Sequence, residues 1–521
     1  MVTLAAVVVA ATFTRTMERV ASMDPAMATA VYDSHAVQLV YESPLEVDYV
    51  ARPYKLVPGF CELPEVSADG RTYTFRVRAR EQGTGNREQG NLEAKDVVRA
   101  LERLRDPKVV SPNGWIMKGV DTVKALDAKT VEIRLKQRCH YFPWLMAMSA
   151  CGVRGPNGEG TGPYELTHWR KNHEMVFRRR EEGKREEGRG NREQGTGKRE
   201  EGFDEIRYLV VDDASTQWLM FMKGELDFLG AISRDNFDSV VGADGRLDAG
   251  LERAGVKLHS IPTMEVLYLG INMQDPVLGP NRKLRQALNA AFDYPAWEKF
   301  YNGRILPCTT PVPPGVEGRL EKPFAYAYDP EKARKLIAEA GYPGGIDPKT
   351  GRRLVLTMSI GRASQESREA GELTAAFYEK IGVKLELAFM TWDAFLKAVS
   401  EGRVQLFRMG WVGDYPDAQN FLQLFYSKNL RPGPNRAAYV NPEFDREYDA
   451  AIASATAEER NAHWAKCQEI VMEDCPWVFT NVNKAYSLVR PTVTNYVPSD
   501  FPYGHERHYR PAELKCKGRV R

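Results

Sequence analysis

Two charged residues follow predicted β-strands in the C-terminal third of the chain. Asp414 comes after an apolar run at 404–407, and Arg362 comes after an apolar run at 354–360. In open α/β sheets, ligands bind beyond the carboxyl ends of the strands, so both side chains would face one crevice if their strands share a sheet. A carboxylate pairs with an ammonium, and a guanidinium forks a carboxylate. We therefore predict a site for a zwitterionic ligand around Asp414 and Arg362.

Two neighbours of Asp414 complete the set of candidate ligand-binding residues. Trp411 would supply an apolar wall, and Gly410 precedes it in the same segment. For Trp411, Asp414 and Arg362 a purely structural interpretation also stays open. Trp411 would be a core aromatic, Asp414 would form an Asx turn with residues 415–417, and Arg362 would belong to a surface salt bridge.

Catalytic motifs are missing from the sequence. Its eight histidines form no H-E-x-x-H motif, no G-x-S-x-G elbow occurs, and no Cys/His cluster has zinc spacing. We therefore assign no catalytic residue, no metal and no cofactor. His505 and His508 lack neighbouring ligand residues, and we expect both at the surface.

Composition indicates an ordinary globular protein of more than one domain. The chain has 521 residues, and its 72 basic and 70 acidic residues leave a net charge of +2. This balance gives no argument for nucleic acid or an anionic membrane as a partner. No apolar run approaches the roughly 18 residues needed to span a bilayer.

Seven cysteines in a chain of this length do not make a disulfide scaffold. An odd number leaves at least one thiol unpaired within a monomer. Two pairs, Cys139 with Cys151 and Cys467 with Cys475, are close enough in sequence to form disulfides, and the sequence leaves both possibilities open.

The amino terminus allows two interpretations. Residues Leu4 to Ala11 form an apolar run that ends in small residues, as in the middle of a secretory signal. Met1-Val2-Thr3 supplies no basic leading region, which a signal also needs. The run is therefore either a truncated signal or part of the first core strand.

A polar element occurs twice in the chain, at 80–90 and at 192–202. It carries no apolar residue to bury, and its glutamates interleave with its arginines, which argues against a basic patch for a polyanion. We expect two solvated surface loops, a polar insert at 80–91 and a low-complexity loop at 178–202.

A βαβ unit precedes the Asp414 segment. The pattern predicts a strand at 354–360, a helix at 367–381 and an alternating strand at 384–389. Such a unit pairs its strands in parallel, so this part of the chain is α/β.

The chain resembles the family 5 extracellular solute-binding proteins, which include the dipeptide- and oligopeptide-binding components of ABC transporters. The resemblance runs from about Met23 to the carboxyl end, interrupted by the two polar inserts. Besides the Gly410-Trp411 segment, the stretches that carry it are 23–26, 40–46, 56–59, 73–76, 94–98, Gly160-Thr-Gly-Pro-Tyr164, 285–288, 302–303, 311–315 and 379–383.

The resemblance implies a type II periplasmic binding protein, an α/β fold of two lobes with a hinge and an extra subdomain. Lobe I would comprise 1–40, 160–262 and 485–521 and would contain the polar loop 178–202. The inserted subdomain would be 41–159, with the polar insert 80–91, and lobe II would be 263–484. The crossings between lobes would fall near Pro262 and Ala485, and ligand binding would close the lobes.

The same resemblance implies an extracytoplasmic substrate-binding protein of an ABC importer, not an enzyme. It would act as a periplasmic monomer that captures short peptides and delivers them to the permease subunits of the transporter. In peptide-binding members the aspartate aligned with Asp414 grips the ligand's α-ammonium. In dipeptide-binding members an arginine near the position of Arg362, offset by a one-residue gap, holds the α-carboxylate. Two extended residues span at most roughly 7 Å, which favours di- or tripeptides.

Two alternatives stay open beside short peptides. The scaffold also serves family members that bind an oligosaccharide, a nickel chelate or haem, so the motif does not fix the solute. A peptide hydrolase is the less favoured alternative, because the sequence offers no catalytic constellation for it.

Overall fold

The computed structural model describes residues 10–78, 92–180, 202–232, 234–242, 245–322, 327–499, 501 and 503–512. The predicted polar insert 80–91, all of the predicted loop 178–202 except its ends, and residues 4–9 of the apolar amino-terminal run lie outside the described residues. Among the residues described, no helix combines the length and the apolar character that a membrane span requires.

The chain forms two compact units, each with its own internal contacts. Unit 1 comprises Met1–Ile261 and Ala485–Arg521, and unit 2 comprises Pro262–Lys484. The chain therefore passes from one unit to the other twice. The finer division of the first part into 1–40, 41–159 and 160–262 stays a proposal.

The main elements of unit 1 are, in chain order, β1 (Thr12–Met17), α1 (Val31–Val40), β2 (Leu45–Val47), β3 (Leu56–Pro58), β4 (Glu65–Val66), β5 (Thr72–Arg76), α2 (Ala94–Arg105), β6 (Val120–Ala125), β7 (Thr130–Leu135), α3 (Phe142–Leu145), β8 (Tyr164–Arg170), β9 (Glu174–Arg179), β10 (Glu205–Val210), α4 (Ala214–Lys223), β11 (Phe228–Leu229), α5 (Arg234–Val240), α6 (Ala249–Arg253) and β12 (Lys257–Pro262).

The main sheet of unit 1 is built around β1. This strand pairs in parallel with β10 on one side and with β11 on the other, and antiparallel β9 and β8 extend the sheet. Phe13 of β1, Ile206 of β10 and Val37 of α1 are fully buried in one cluster. The sheet is thus held by apolar burial against helix α1.

A smaller antiparallel sheet with the order β4-β5-β7-β6 lies in the same unit. Helix α2 packs on β6 and β7 of this sheet. Its residues Val97, Leu101 and Leu104 recur at helical spacing and are buried, whereas its charged residues are mostly on the opposite face.

The main elements of unit 2 are β13 (Glu265–Ile271), α7 (Arg282–Ala290), α8 (Tyr294–Phe300), β14 (Ile305–Pro307), α9 (Pro330–Glu339), β15 (Val355–Ile360), α10 (Gln365–Glu379), β16 (Lys384–Phe389), α11 (Trp392–Ser400), β17 (Leu406–Val412), α12 (Ala418–Leu422), α13 (Pro442–Ala453), α14 (Ala457–Asp474) and β18 (Trp477–Val489), whose last residues belong to unit 1.

The sheet of unit 2 has the order β16-β15-β17-β13-β18, and β14 also pairs with β18. β15 is parallel to both β16 and β17, which confirms the predicted βαβ unit. Helix α10 connects β15 to β16. At its start the Ser364 hydroxyl accepts a hydrogen bond from Ser367 N–H at 3.2 Å. Soon after the helix ends, Gly382 has φ +84°, a left-handed conformation that favours glycine.

The prediction that the strand before Asp414 ends near Phe407 was wrong. β17 runs to Val412, so Gly410 and Trp411 lie inside the strand. The cause is antiparallel pairing with β13, which continues to the pair Glu265–Val412. The register is tightly set, because the Phe407 ring lies where a side chain at Gly270 would be, within 2.2 Å of its Cβ position.

The structure decides one question that the sequence left open and corrects one further expectation. Neither the Cys139–Cys151 nor the Cys467–Cys475 disulfide is formed, and all six cysteines in the described residues are thiols. Burial raises the pKa of the Cys151 thiol to about 12, which makes it unreactive. His505, expected at the surface, is buried, since the C-terminal segment packs into the core of unit 1.

Candidate functional site

Asp414 and Arg362 lie at the same edge of the unit 2 sheet. The parallel register pairs Ile360 of β15 with Arg408 of β17, and both strands point their carboxyl ends the same way. Arg362 lies two residues beyond Ile360, and Asp414 lies two residues beyond Val412. Counted from the Ile360–Arg408 pair, Arg362 lies two residues further along the chain and Asp414 six, so the two positions are about four residues apart in register.

Asp414 is a half-buried carboxylate with a single hydrogen-bond partner. Asn420 Nδ2 donates to its Oδ2 at 3.1 Å, and no other described residue bonds or ion-pairs with this side chain. Burial raises the pKa of Asp414, and the hydrogen bond from Asn420 offsets this only in part. A carboxylate in this state gains from a cation that reaches its open oxygen.

The Asx-turn alternative for Asp414 is not what the structure forms. The neighbouring Asp417 takes that local role, because its Oδ1 accepts a hydrogen bond from Gln419 N–H at 2.8 Å and caps α12. The Asp414 carboxylate bonds to a side chain instead of to the backbone of its own turn.

Asn420 is a site residue that the sequence prediction missed. Its side chain is fully buried beneath β17. Its Oδ1 accepts hydrogen bonds from Trp411 Nε1 at 2.9 Å and from the backbone N–H of Asp414 at 3.1 Å. Asn at the fourth position after an Asp-Tyr-Pro turn is a weak sequence signal, since only the fold brings it under the strand.

Trp411 is half-buried, so it is not simply a core aromatic. Its indole N–H is engaged by Asn420, which fixes the plane of the ring beside Asp414. The partly exposed ring can serve as the apolar wall that the sequence predicted.

Beyond Arg408, β17 leaves one backbone edge open. Its pairing with β15 ends at Arg408, whereas its pairing with β13 continues to Val412. Gly413 N–H donates to Met264 O at 2.8 Å on the β13 side. Because backbone groups alternate along a strand, those of Gly410 and Val412 point to the open side. Gly410 is exposed and Val412 is 55% exposed, so a ligand can reach this edge.

Arg362 is exposed, and no described residue forms an ion pair or hydrogen bond with it. The surface salt bridge considered from the sequence is therefore not formed among these residues. The preceding Gly361 packs against Phe395 and Trp392, which holds the backbone at the start of Arg362 in place.

Arg408 is a second guanidinium that the sequence prediction missed, three residues before Trp411 on β17 and therefore on the opposite face of the strand. It lies on β17, half-buried, with Nη2 donating to Tyr301 Oη at 2.7 Å. Its guanidinium lies 5.4 Å from the centre of the Trp297 ring, and it pairs with no carboxylate in the described residues. An arginine inside an otherwise apolar strand was the signal available for finding it.

No group of three or more His, Cys, Asp and Glu side chains in the described part of the chain is arranged to hold a metal ion. The candidate groups are the Asp414 carboxylate, the Trp411 indole and the open edge of β17, with the Arg362 and Arg408 guanidinium groups as separate candidates for an anionic end of a ligand. These are groups that bind an extended zwitterion.

The family model for bacterial extracellular solute-binding proteins, family 5 (middle), matches residues 55–432. This chain belongs to that family. The recognition made from the sequence is thereby confirmed, and the family is one of solute-binding proteins.

Three similar proteins illustrate the range of this family. Heme-binding protein A of Haemophilus influenzae is 26% identical over 87% of this chain and 83% of its own. The dipeptide-binding protein of Escherichia coli K12 is 25% identical over 89% of this chain and 88% of its own. The ABC transporter-associated periplasmic binding protein DppA from Helicobacter pylori was solved with the peptide STSA. It superposes with a TM-score of 0.72 at 21% sequence identity, and the match covers 96% of this chain and 98% of DppA. The predicted fold class, a periplasmic binding protein, is confirmed.

Proposed function

We propose that this family 5 protein is the extracytoplasmic substrate-binding protein of an ABC importer and that it captures short peptides. Its partners are the peptide and the permease subunits of the transporter, its location is periplasmic, and it has no catalytic activity. The observation that carries the proposal is the half-buried Asp414, whose carboxylate has one hydrogen bond and no cation among the described residues.

The amino end of the peptide binds at Asp414. An α-ammonium that reaches Asp414 Oδ1 forms charge-assisted hydrogen bonds there and removes the cost of a buried, unpaired charge. Burial already raises the pKa of this carboxyl, so a bound cation stabilises its ionised form. The half-buried Trp411 ring flanks the first residues of the ligand.

The backbone of the peptide pairs with β17. Gly410 and Val412 present backbone N–H and C=O groups to the open side of the strand. An extended peptide that adds to this edge satisfies those groups without regard to its side chains. Glycine at 410 leaves room for the close approach of a second backbone.

The carboxylate end of the peptide binds at an arginine. Arg362 lies about four residues behind Asp414 in the register of β15 and β17, and a two-residue peptide of about 7 Å, together with the two side chains, would connect the two groups. Arg408, six residues before Asp414, is the second candidate and suits a longer ligand. Neither guanidinium has an acidic partner in the described residues.

Two of the similar proteins support a peptide as the solute. One is a dipeptide-binding protein. The other is an ABC transporter-associated periplasmic binding protein that was solved with a bound peptide. A haem-binding relative of similar identity makes haem the second candidate solute. Haem has carboxylates but no ammonium, so it gives Asp414 no role.

Mass spectrometry of ligand released from natively purified protein separates these candidates. A mixture of di- to tetrapeptides supports the proposal, whereas a single haem or sugar mass refutes it.

Calorimetry with tri-alanine, its N-acetyl form and its C-amide then tests how the two ends of the peptide are recognised. We expect the unmodified peptide to bind tightest, with N-acetylation abolishing most of the affinity.

A further inference from the structure

Two groups of the candidate site are held by one buried side chain. Asn420 accepts hydrogen bonds from the Trp411 indole N–H and from the Asp414 backbone N–H, and it donates to the Asp414 carboxylate, at 2.9, 3.1 and 3.1 Å. Its relative exposure is 0%. The indole and the carboxylate therefore take their positions from the same carboxamide.

The chemistry of the partners fixes which way the carboxamide points. An indole N–H and a backbone N–H can only donate, so the amide oxygen must face them. The NH₂ group must then face the carboxylate of Asp414, which accepts. Asparagine is the side chain of this length that offers an acceptor and a donor at once, so aspartate, leucine or serine cannot reproduce the arrangement.

The backbone under Asn420 is also held. Asn420 N–H donates to Asp417 O at 3.0 Å, and Gln423 Nε2 donates to Asn420 O at 3.1 Å. The Asp417 cap sets the start of α12, and Asn420 follows within its first turn. Because both the backbone and the amide are engaged, the side chain has a single available position.

We propose that Asn420 is a positioning residue that presents Asp414 Oδ1 to the cationic end of the ligand and aligns Trp411 beside it. This proposal rests on the proposed function of the site. By bonding Oδ2, the amide leaves Oδ1 as the open acceptor. By bonding the indole, it couples the orientation of the apolar wall to that of the charge.

The substitution Asn420→Ala tests the proposal. In this variant the Asp414 carboxylate loses the hydrogen bond from Asn420. Nothing then offsets the effect of burial, so the pKa of Asp414 rises further. Hydrogen bonds to charged groups are strong enough that we expect tri-alanine to bind about 10- to 100-fold more weakly at pH 7. The pH below which binding is lost should move upward, which a general loss of stability does not produce.

Asn435→Ala is a matched control. Asn435 is equally buried in unit 2, and its side chain makes three hydrogen bonds to the backbone of Tyr426 and Tyr439. None of these hydrogen bonds involves Asp414 or Trp411. We expect this variant to lose thermal stability while keeping the peptide affinity and the pH profile of the wild type.

A ligand-free measurement separates failure of this proposal from failure of the proposed function. In protein with ¹³C-labelled aspartate carboxyls, the Asp414 signal is the one missing from Asp414→Asn, and its titration is followed in the wild type and in Asn420→Ala. An upward shift of the Asp414 pKa supports the positioning role, even if no peptide binds. An unchanged titration overturns it, even if peptides bind well.

Should Asn420→Ala fail to fold, Asn420→Asp provides the second variant. It keeps the acceptors for Trp411 and the backbone N–H but sets a second carboxyl against Asp414, so the pair shares one proton. Peptide binding at pH 7 should then release more protons than in the wild type, as measured by calorimetry in buffers of different ionisation enthalpy. Equal proton release in the two proteins overturns the proposal.

Discussion

Asp414→Asn removes one charge from the candidate site without changing its shape. The asparagine oxygen can still accept the hydrogen bond that Asn420 Nδ2 gives to Asp414 Oδ2 at 3.1 Å. The packing of Trp411 and α12 is therefore kept. What disappears is the charge that the proposed function assigns to the ligand's ammonium.

The magnitude follows from the burial of the pair. Truncating one partner of a buried, hydrogen-bonded charge pair costs about 2–5 kcal/mol. Since about 1.4 kcal/mol is tenfold in affinity, we expect tri-alanine to bind roughly 30-fold to several-thousand-fold more weakly. N-acetylated tri-alanine lacks the ammonium and should lose little on the same substitution.

The substitution that weakens peptide binding should not weaken the fold of the unliganded protein. Burial raises the pKa of Asp414, which means that the ionised carboxylate is unfavourable in the folded state. Removing the charge should therefore leave the Tm of the unliganded protein unchanged or higher. A loss of affinity without a loss of stability separates a binding role from a structural one.

Isothermal titration calorimetry at pH 7 and thermal unfolding of the ligand-free protein measure the two quantities. Asp417→Asn is the matched control, because asparagine caps a helix as well as aspartate does. We expect the control to bind like the wild type. Unchanged tri-alanine affinity in Asp414→Asn, or an equal loss for the acetylated peptide, would refute the assignment of the ammonium to this carboxylate.

Three further results are expected. Peptide affinity should fall as pH drops through the raised pKa of Asp414, because protonation removes the charge, and calorimetry across pH 4–8 measures this. Glu506→Gln should lower the free energy of unfolding by about 3–5 kcal/mol, since it leaves the largely buried Arg15 guanidinium without its fully buried carboxylate partner, and denaturant unfolding at pH 7 measures this. The pKa of Glu506 is held well below its usual range, so this carboxylate stabilises the fold at neutral pH and the benefit is lost as pH falls through that low pKa. Gly270→Val should prevent folding or shift β17, because the Phe407 ring occupies the space of the new side chain, and circular dichroism would detect this.

The βαβ unit could be predicted because its information is local. Alternating apolar residues fixed the strand at 384–389, and Gly382 ended the helix before it. Parallel pairing then followed from connection rules, and with it the edge at which Asp414 and Arg362 lie. The end of β17 was missed because Gly410 and Trp411 do not read as an apolar run, and only pairing with β13 makes them a strand.

The role of Asn420 could not be predicted, because it depends on where α12 turns back under β17. Its amide makes contacts six and nine residues away, a spacing that belongs to no regular element. Burial of His505 was missed for a similar reason. It adjoins Glu506, whose partners Arg15 and His35 lie at the other end of the chain, 491 and 471 residues away.

Two enclosed carboxylates in this protein behave in opposite ways, and the contrast shows how the site differs from the core. Burial alone would raise the pKa of Glu506, but His35 and Arg15 outweigh it and hold that pKa well below its usual range. At Asp414 burial prevails, because its one partner is a neutral amide. Glu506 already has the Arg15 guanidinium as its cation and joins the first strand to the C-terminal segment. The Asp414 carboxylate would also be stabilised by a cation, but no cationic side chain among the described residues bonds to it. A carboxylate left in that state is costly to the folded protein unless a ligand supplies the charge, which is why Asp414 is the candidate for ligand binding and Glu506 belongs to the core.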